Sequence, residues 1–414
     1  MNTNKSLLQV FQSRKMVALL LLGFASGMPL FLTSRTLQAW MTVEGVDLAS
    51  IGLLSLVSLP YSIKFLWSPF LDRYIPSFLG RRRGWLVIAQ IGLTIAIAIM
   101  SLQQPKEALQ LLAINAVVIA FLSASQDIAF DAYRTDILNE WETGAGAAVG
   151  VLGYRIALLV TGALALILAD RISWQGVYLF MAALMALSIL FSIWSPEPIL
   201  QEQPPANLKQ AIILPFQEFF QRLGMIRGFL VLVFIVLYRL GDALVNNMVT
   251  PFLLQIGFTQ TDIGAIQGGM GLLATIVGAL LGGVILSRWG INRSLWIFGI
   301  LQGFSNLVYF LLAQLGKNYQ FMVLAINVEN LCSGLATAAF VAFLMSLCNQ
   351  RFSATQFALL SSLMAFSRDI LVAPAGIFAK EIGWSGFFLF TLLAAVPGLL
   401  LLPWFAPWKH KLEV

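Results

Sequence analysis

The sequence predicts an all-α membrane protein of 12 transmembrane helices, arranged as two pseudo-symmetric six-helix halves. Three observations predict it. The 414 residues are 59% hydrophobic and only 11% charged, where a soluble domain carries roughly 25% charged residues. The apolar runs reach about 20 residues without alternating polarity, which suits a spanning helix and not a barrel strand. Short motifs also recur between the halves at an offset of about 210 residues, the internal symmetry typical of secondary transporters.

The composition bounds the function as well. A mean hydropathy of +0.85 makes lipid the main solvent, and backbone polar groups in lipid must be satisfied within the chain. The net charge of +6 comes without a basic domain interleaved with aromatics, so no nucleic-acid partner is expected. Cys332 and Cys348 fall in one predicted helix, about 24 Å apart, too far to pair within it. P-loop, HExxH, CxxC and GxSxG patterns are absent from the sequence. An ATP-driven pump, a metal site and a hydrolase are therefore not expected, and energy should come from an ion gradient.

The first half reads as spans 16–38, 49–70, 85–102, 109–131, 145–169 and 175–194. The second reads as 228–254, 262–286, 294–314, 319–347, 355–379 and 386–405. The apolar run after Lys15 is long enough to span, so it is expected as a first span and not as a removable leader. The expected domains are residues 1–194, a linker at 195–227, and residues 228–414. The linker opens on SPEPILQEQPP and continues as LKQAIILPFQEFFQR, an amphipathic helix expected on the membrane surface. Lysines and arginines gather in the loops of one side, among them Arg14, Arg73, Arg81, Arg134, Arg222, Arg288 and Arg351. That side is expected to be cytoplasmic, with both termini on it.

Three pairs of segments carry the repeat. GVDLASIG (45–52) returns as GFTQTDIG (257–264), and WQGVYLF (174–180) as WSGFFLF (384–390). Asp47 and Thr259 suit helix N-caps in the first pair. SPFLDRYIPSFLGRRR (68–83) sits where GGVILSRWGINR (282–293) does. This third pair resembles the loop signature of the major facilitator superfamily, a Gly-x-x-x-Asp-Arg followed by basic residues. In the first half Ser68 stands for its glycine, and in the second half Ser287 stands where the aspartate would be. Asp72, Arg73 and Arg288 are the candidate gate. Asp72 can pair with a basic residue or a helix N-terminus of a neighbouring span and hold one face closed. The alternative is that Arg81 to Arg83 only set topology.

Charges inside spans cost on the order of 3 kcal/mol each, so each invites a functional reading. Asp127 and Asp131 lie one turn apart on one helix face. They repel, and taking up a proton relieves the repulsion, as a proton carrier requires. A packing ion pair is the alternative for Asp127; for Asp131 it is a link to Arg73 or Arg134. The only histidine is His410, in the tail, so carboxylates must carry protons, with Glu329 a second candidate. Arg155 and Arg368 occupy equivalent repeat positions and suit a carboxylate-bearing substrate; the alternative is that each neutralises a nearby acid. Arg239 and Asp242 are spaced to pair with each other or to bind substrate. Lys64 is expected to have a cavity partner. Tyr61, Gln126, Tyr154 and Gln267 complete the candidate substrate-binding set, whereas Trp40 and Trp174 fit interfacial anchors.

Six further stretches resemble the muropeptide permease (AmpG) family along nearly the whole chain. They are GFASGMPLFLTSRTLQAWMTVE (23–44), KFLWSP with DRY and RRRGW (64–85), SASQDIAFDAYRTD (123–136), GAGAAVGVLGYR (144–155), ENLCSG (329–334) and SATQFALLS (353–361). The resemblance implies a proton-coupled inner-membrane importer for cell-wall recycling. Its substrates would be N-acetylglucosaminyl-1,6-anhydro-N-acetylmuramic acid and its peptide derivatives. The family's paired acids fall on Asp127 and Asp131. Many family members carry two further helices after the twelfth span, which the transport unit is expected not to need. The expected partners are the muropeptide and the lipid bilayer, with protons as coupling ion, no cofactor, and a monomeric protein working by alternating access around a central cavity. Rival readings are a drug antiporter of the same fold, an acetyl-CoA carrier and a non-transporting receptor for wall fragments.

Overall fold

The computed structural model describes residues 13–46, 57–198, 205, 207–366, 371–372 and 374–408. Regular structure among them is entirely helical, as the lipid solvent demands. In the first half α1 (Arg14–Leu32) and α2 (Arg35–Val43) are followed by the short α3 (Leu59–Ile63) and α4 (Ser68–Arg73). Then come α5 (Arg81–Ser101), α6 (Leu109–Ile137), α7 (Thr143–Leu159), α8 (Ala165–Ala169) and α9 (Trp174–Trp194). The linker forms α10 (Leu208–Leu223) at the place expected for the amphipathic helix. The second half holds α11 (Met225–Leu237), α12 (Leu240–Gln255), α13 (Gln260–Ile263), α14 (Leu272–Leu315), α15 (Tyr319–Ser346), α16 (Ser353–Phe366) and α17 (Ala375–Phe405).

Among the described residues, nine helical stretches are long and apolar enough to cross a membrane. Two of the twelve expected spans, 262–286 and 294–314, share the single run Gly264–Leu315. Gly290 breaks that run with φ 77°, a left-handed conformation that costs glycine little and lets one helix end and the next begin without a loop. Gly383, with φ 69°, does the same inside α17, just ahead of the expected span 386–405. The span expected at 49–70 lies partly outside the described residues, as does part of 355–379.

Helix starts follow the capping residues. Ser13, Ser173 and Asn318 accept backbone N–H groups of Met16, Gly176 and Phe321. Thr259 caps α13 as expected, and Asp262 returns the favour. The Asp262 N–H donates to Thr259 Oγ1 at 3.1 Å, and the Thr259 N–H donates to Asp262 Oδ2 at 3.1 Å, a reciprocal capping box. The counterpart expected at Asp47 lies outside the described residues.

The chain forms two compact units. The first comprises Met1–Asn139, Val149–Phe216 and Cys348–Ser362, as far as they are described. Its apolar core includes Met28, Trp40, Leu93, Ile119, Tyr178 and Met181. Trp40, which suits an interfacial anchor on sequence grounds, is instead fully buried. It stacks on Trp174 at 6.1 Å and packs against Tyr178 at 5.0 Å, because α2 lays its apolar side over the core. Helices α1 and α7 approach until backbones touch: a Cβ at Gly23 would sit 2.5 Å from the Gly150 carbonyl oxygen, and one at Gly153 would collide with that of Leu20. Small residues at a helix contact are how lipid-embedded helices gain dispersion energy without a hydrophobic driving force.

The second unit comprises Glu140–Ala148, Gln217–Leu347 and Leu363–Val414, again as far as they are described. Phe252, Tyr309, Phe387 and Phe388 centre its core, with Tyr309 stacked on Phe388 at 5.3 Å. Gly278 of α14 and Gly334 of α15 meet the partner helix's backbone in the same close fashion.

Because nothing at the α1–α7 contact can yield, Gly153→Val should destabilise the protein by about 1–3 kcal/mol through overpacking. Gly303→Ala is the matched control, since its Cβ would meet Ala395 at an ordinary 3.5 Å; it should be neutral or gain up to about 1 kcal/mol of helix propensity. Thermal unfolding of both variants in detergent checks the pair.

Candidate functional site

The run SASQDIAFDAYRTD lies on α6, and its two acids meet different partners. Ser26 of α1 donates its hydroxyl to Asp127 Oδ1 at 2.5 Å. Asp131 takes two cations: Lys64 Nζ at 3.4 Å and the Arg134 guanidinium at 2.7 Å. Lys64 thus has the partner expected of it. Of the two arginines open to Asp131, Arg134 makes the contact; it sits one turn along the same helix, where an i,i+3 pair is favoured. The two carboxylates are therefore unequal. Asp131 is ion-paired, whereas the hydrogen bond to Asp127 comes from a neutral hydroxyl.

Polar side chains without partners surround this pair. Gln126 and Ser123 are fully buried, and their polar atoms have no hydrogen-bond partner among the described residues, nor has the Tyr61 hydroxyl. The Tyr61 hydroxyl lies close to Ser123 and Asp127. Buried polar atoms left unpaired are costly. Tyr154 and Arg155 lie half-buried on α7. Arg368 lies outside the described residues, so its pairing with Arg155 does too.

A second polar cluster sits in the other unit. Arg239 donates to Asp242 Oδ2 at 2.5 Å, to Thr337 Oγ1 at 3.0 Å and to Ser333 Oγ at 3.2 Å. Gln302 donates to Asp242 Oδ1 at 3.0 Å. Asn246 Nδ2 is shared, reaching Asp242 Oδ1 at 3.1 Å and Glu329 Oε1 at 3.3 Å. Arg239 and Asp242 pair with each other as their spacing allows. Gln302, Ser333 and Thr337 are participants that spacing alone does not reveal. Gln267 is half-buried on a π-helical turn, Gly264–Gly271.

The third cluster is built on Asp72, which is fully buried. Its Oδ1 accepts from Arg81 at 3.0 Å and Arg82 at 3.1 Å. Its Oδ2 accepts the Thr355 N–H at 2.7 Å, at the start of α16, where a helix N-terminus favours negative charge. Both alternatives for Asp72, basic residue and helix N-terminus, are thus realised together. Arg82 also donates to Asp136 at 2.6 Å and to Ser353 Oγ at 2.7 Å. Arg81 donates to the Arg351 carbonyl at 2.8 Å. Glu197 accepts the backbone N–H groups of Arg82 and Arg83 at the start of α5. Arg73 stands apart from the cluster over the Tyr74 ring at 5.4 Å, and Arg288 is exposed on α14. Asp136 carries no signal in the sequence, because its partner is 54 residues away.

Asp72→Asn leaves the shape but removes the charge that two buried guanidinium groups face. It should cost about 3–5 kcal/mol, the penalty of breaking a buried ion pair from one side. Arg73→Gln should change stability by no more than about 0.5 kcal/mol, as surface changes do. Denaturation midpoints of the two variants in one detergent separate these expectations.

Comparison with known proteins adds independent information. The family model described as Major Facilitator Superfamily matches residues 19–372. The chain is 53% identical over 397 residues to the anhydromuropeptide permease of Escherichia coli K12, covering 95% of this chain and 80% of the permease. Its fold is similar to that of the E. coli fucose:proton symporter FucP, with a TM-score of 0.74 at 13% identity over 96% of this chain and 98% of the symporter. It is also similar to the proton:xylose symporter XylE bound to 6-bromo-6-deoxy-D-glucose, with a TM-score of 0.69 at 12% identity over 98% of this chain and 97% of that one. These are transporters and not enzymes; the chain is a multi-pass membrane protein that belongs to the Major Facilitator Superfamily and, within it, to the anhydromuropeptide permease family.

Proposed function

We propose that this protein imports anhydro-muropeptides across the bacterial inner membrane together with protons, by alternating access. The substrates are N-acetylglucosaminyl-1,6-anhydro-N-acetylmuramic acid and its peptide derivatives, recovered for peptidoglycan recycling. The observation that carries the reading is the 53% identity over 95% of the chain to a permease named for that substrate class. The inequality of the two α6 carboxylates supports the proton coupling. Asp131 is neutralised by Lys64 and Arg134, which leaves Asp127 to load and release the proton.

Within this reading the arginines Arg155 and Arg368 take the substrate's carboxylates, by the bidentate geometry a guanidinium offers. Tyr61, Ser123 and Gln126 offer unpaired hydroxyl and amide groups to the sugar's hydroxyl and N-acetyl groups. Asp72, with Arg81 and Arg82, serves as the latch. Both termini face the cytoplasm, the protein works as a monomer, and protons are the only coupling species.

The test is uptake of labelled anhydro-muropeptide into proteoliposomes with and without an inward proton gradient. Wild-type uptake should rise with the gradient. Asp127→Asn should lose the gradient-driven part, falling on the order of 100-fold, as when a positioned proton-transfer group is removed. Gradient-driven uptake persisting in the variant removes Asp127 from the proton path. Folded wild-type protein that takes up no muropeptide under any gradient overturns the substrate.

A further inference from the structure

The second unit carries a set of buried charges that does not balance. Residues 239, 242 and 246 line one face at the start of α12, and 329, 333 and 337 line one face of α15. The two faces meet. Asp242 is served three times, by Arg239, Gln302 and Asn246. Glu329 is 3% exposed; among the described residues it receives the Asn246 N–H that it shares, at 3.3 Å, and it faces the Asp242 carboxylate. Among the described residues the cluster contains two carboxylates and one salt-bridged cation, Arg239. Tyr309 and Cys332 also face it, and both are neutral. A lone negative charge in hydrocarbon costs several kcal/mol or more, so among the described residues one positive charge is missing.

A metal cation is a poor candidate for that charge. The donors crowding Asp242 are N–H groups, which occupy its oxygen lone pairs and repel cations. Among the described residues there is no group of three or more acidic, histidine or cysteine side chains fit to hold a metal ion. A proton needs only one free carboxylate oxygen.

We propose that Glu329 and Asp242 form a second proton site, with the proton on Glu329 and the charge on Asp242. Arg239 makes the site reversible. It already reaches across to Ser333 and Thr337, and Ser333 lies one turn from Glu329 on the same face. When Glu329 releases its proton, the guanidinium can move one turn along α15 and share itself between both carboxylates. The proton's arrival and departure thereby change what binds α12 to α15. The role of this switch in uptake rests on the transporter reading above; the proton binding itself does not.

The experiment is infrared difference spectroscopy of purified protein in detergent, titrated with pH, following the carbonyl stretch of buried carboxylic acids. Wild type should show, beside any band of Asp127, a band that fades as pH rises. Glu329→Gln, the neutral isostere of the protonated form, should fold and lack that band. Asp242→Asn leaves Arg239 free to pair with Glu329, so Glu329 should ionise and the band should again be lost. Glu329→Asp should restore a titrating band. A band absent from Glu329→Gln but constant at every pH in wild type means a fixed structural acid and overturns the proposal. So does a Glu329→Gln spectrum from which no wild-type carbonyl band has been lost, since a band of Asp127 is expected in both. No arm uses muropeptide, so a failed substrate assignment leaves the outcome readable. If uptake is found, Glu329→Gln should also lower by one the number of protons moved per muropeptide.

Discussion

Hydrocarbon does not solvate charge, and most of what this structure does with its polar residues follows from that. Each buried ionic group must find its counter-charge or hydrogen-bond partner within the protein. Among the described residues three clusters of buried charge result: Asp127 with Asp131, Asp242 with Glu329, and Asp72 with Arg81 and Arg82. Between the clusters the helices are held by apolar packing and by close backbone contact at small residues, as at Gly153 and Gly334. The division of labour is physical. Apolar contact supplies cohesion, and neutral hydrogen bonds such as Ser192–Gln90 and Thr275–Asn330 add links between helices.

The three clusters differ in how fully they are satisfied. Around Asp72 two cations and a helix N-terminus meet a buried carboxylate, and Asp136 completes the count of charges. The network is balanced in charge, while Arg81 Nε and Nη1 and Asp136 Oδ1 stay without a hydrogen-bond partner among the described residues. The α6 pair is half closed, with Asp131 in direct ion pairs and Asp127 hydrogen-bonded to Ser26. The Asp242 cluster has one carboxylate more than cations. Only incompletely balanced sites can respond to a proton at modest cost, so responsiveness resides where the pairing falls short.

Features that depend on helical periodicity are legible in the amino-acid sequence. The apolar runs locate the helices, the one-turn spacing of Asp127 and Asp131 puts both on one face, and the Arg239–Asp242 spacing anticipates their ion pair. The loop signature anticipates that Asp72 meets a basic residue or a helix end. Partners distant in the chain are not legible. Thr355 lies 283 residues from Asp72, and Ser26 lies 101 residues from Asp127. Spacing says which way a side chain points along its own helix and nothing about which helix comes to meet it. The same limit explains Trp40. Its place near a helix end suggests the membrane interface, while its burial depends on Trp174 and Tyr178, which arrive from α9.

The Ser26–Asp127 contact has a consequence for how a proton can come and go. A hydroxyl both donates and accepts. Facing an ionised carboxylate, Ser26 donates its hydrogen to the Asp127 oxygen. Facing a protonated carboxyl, the same oxygen can accept the acid's hydrogen with only a rotation about its C–O bond. The joint between α1 and α6 is thus maintained in both charge states. A lysine in that place would grip the ionised form and release the neutral one, turning every protonation into a mechanical event at that contact. With serine there, the carboxyl can fill and empty while its own anchorage stays quiet, and any movement the proton drives must be generated elsewhere in the molecule.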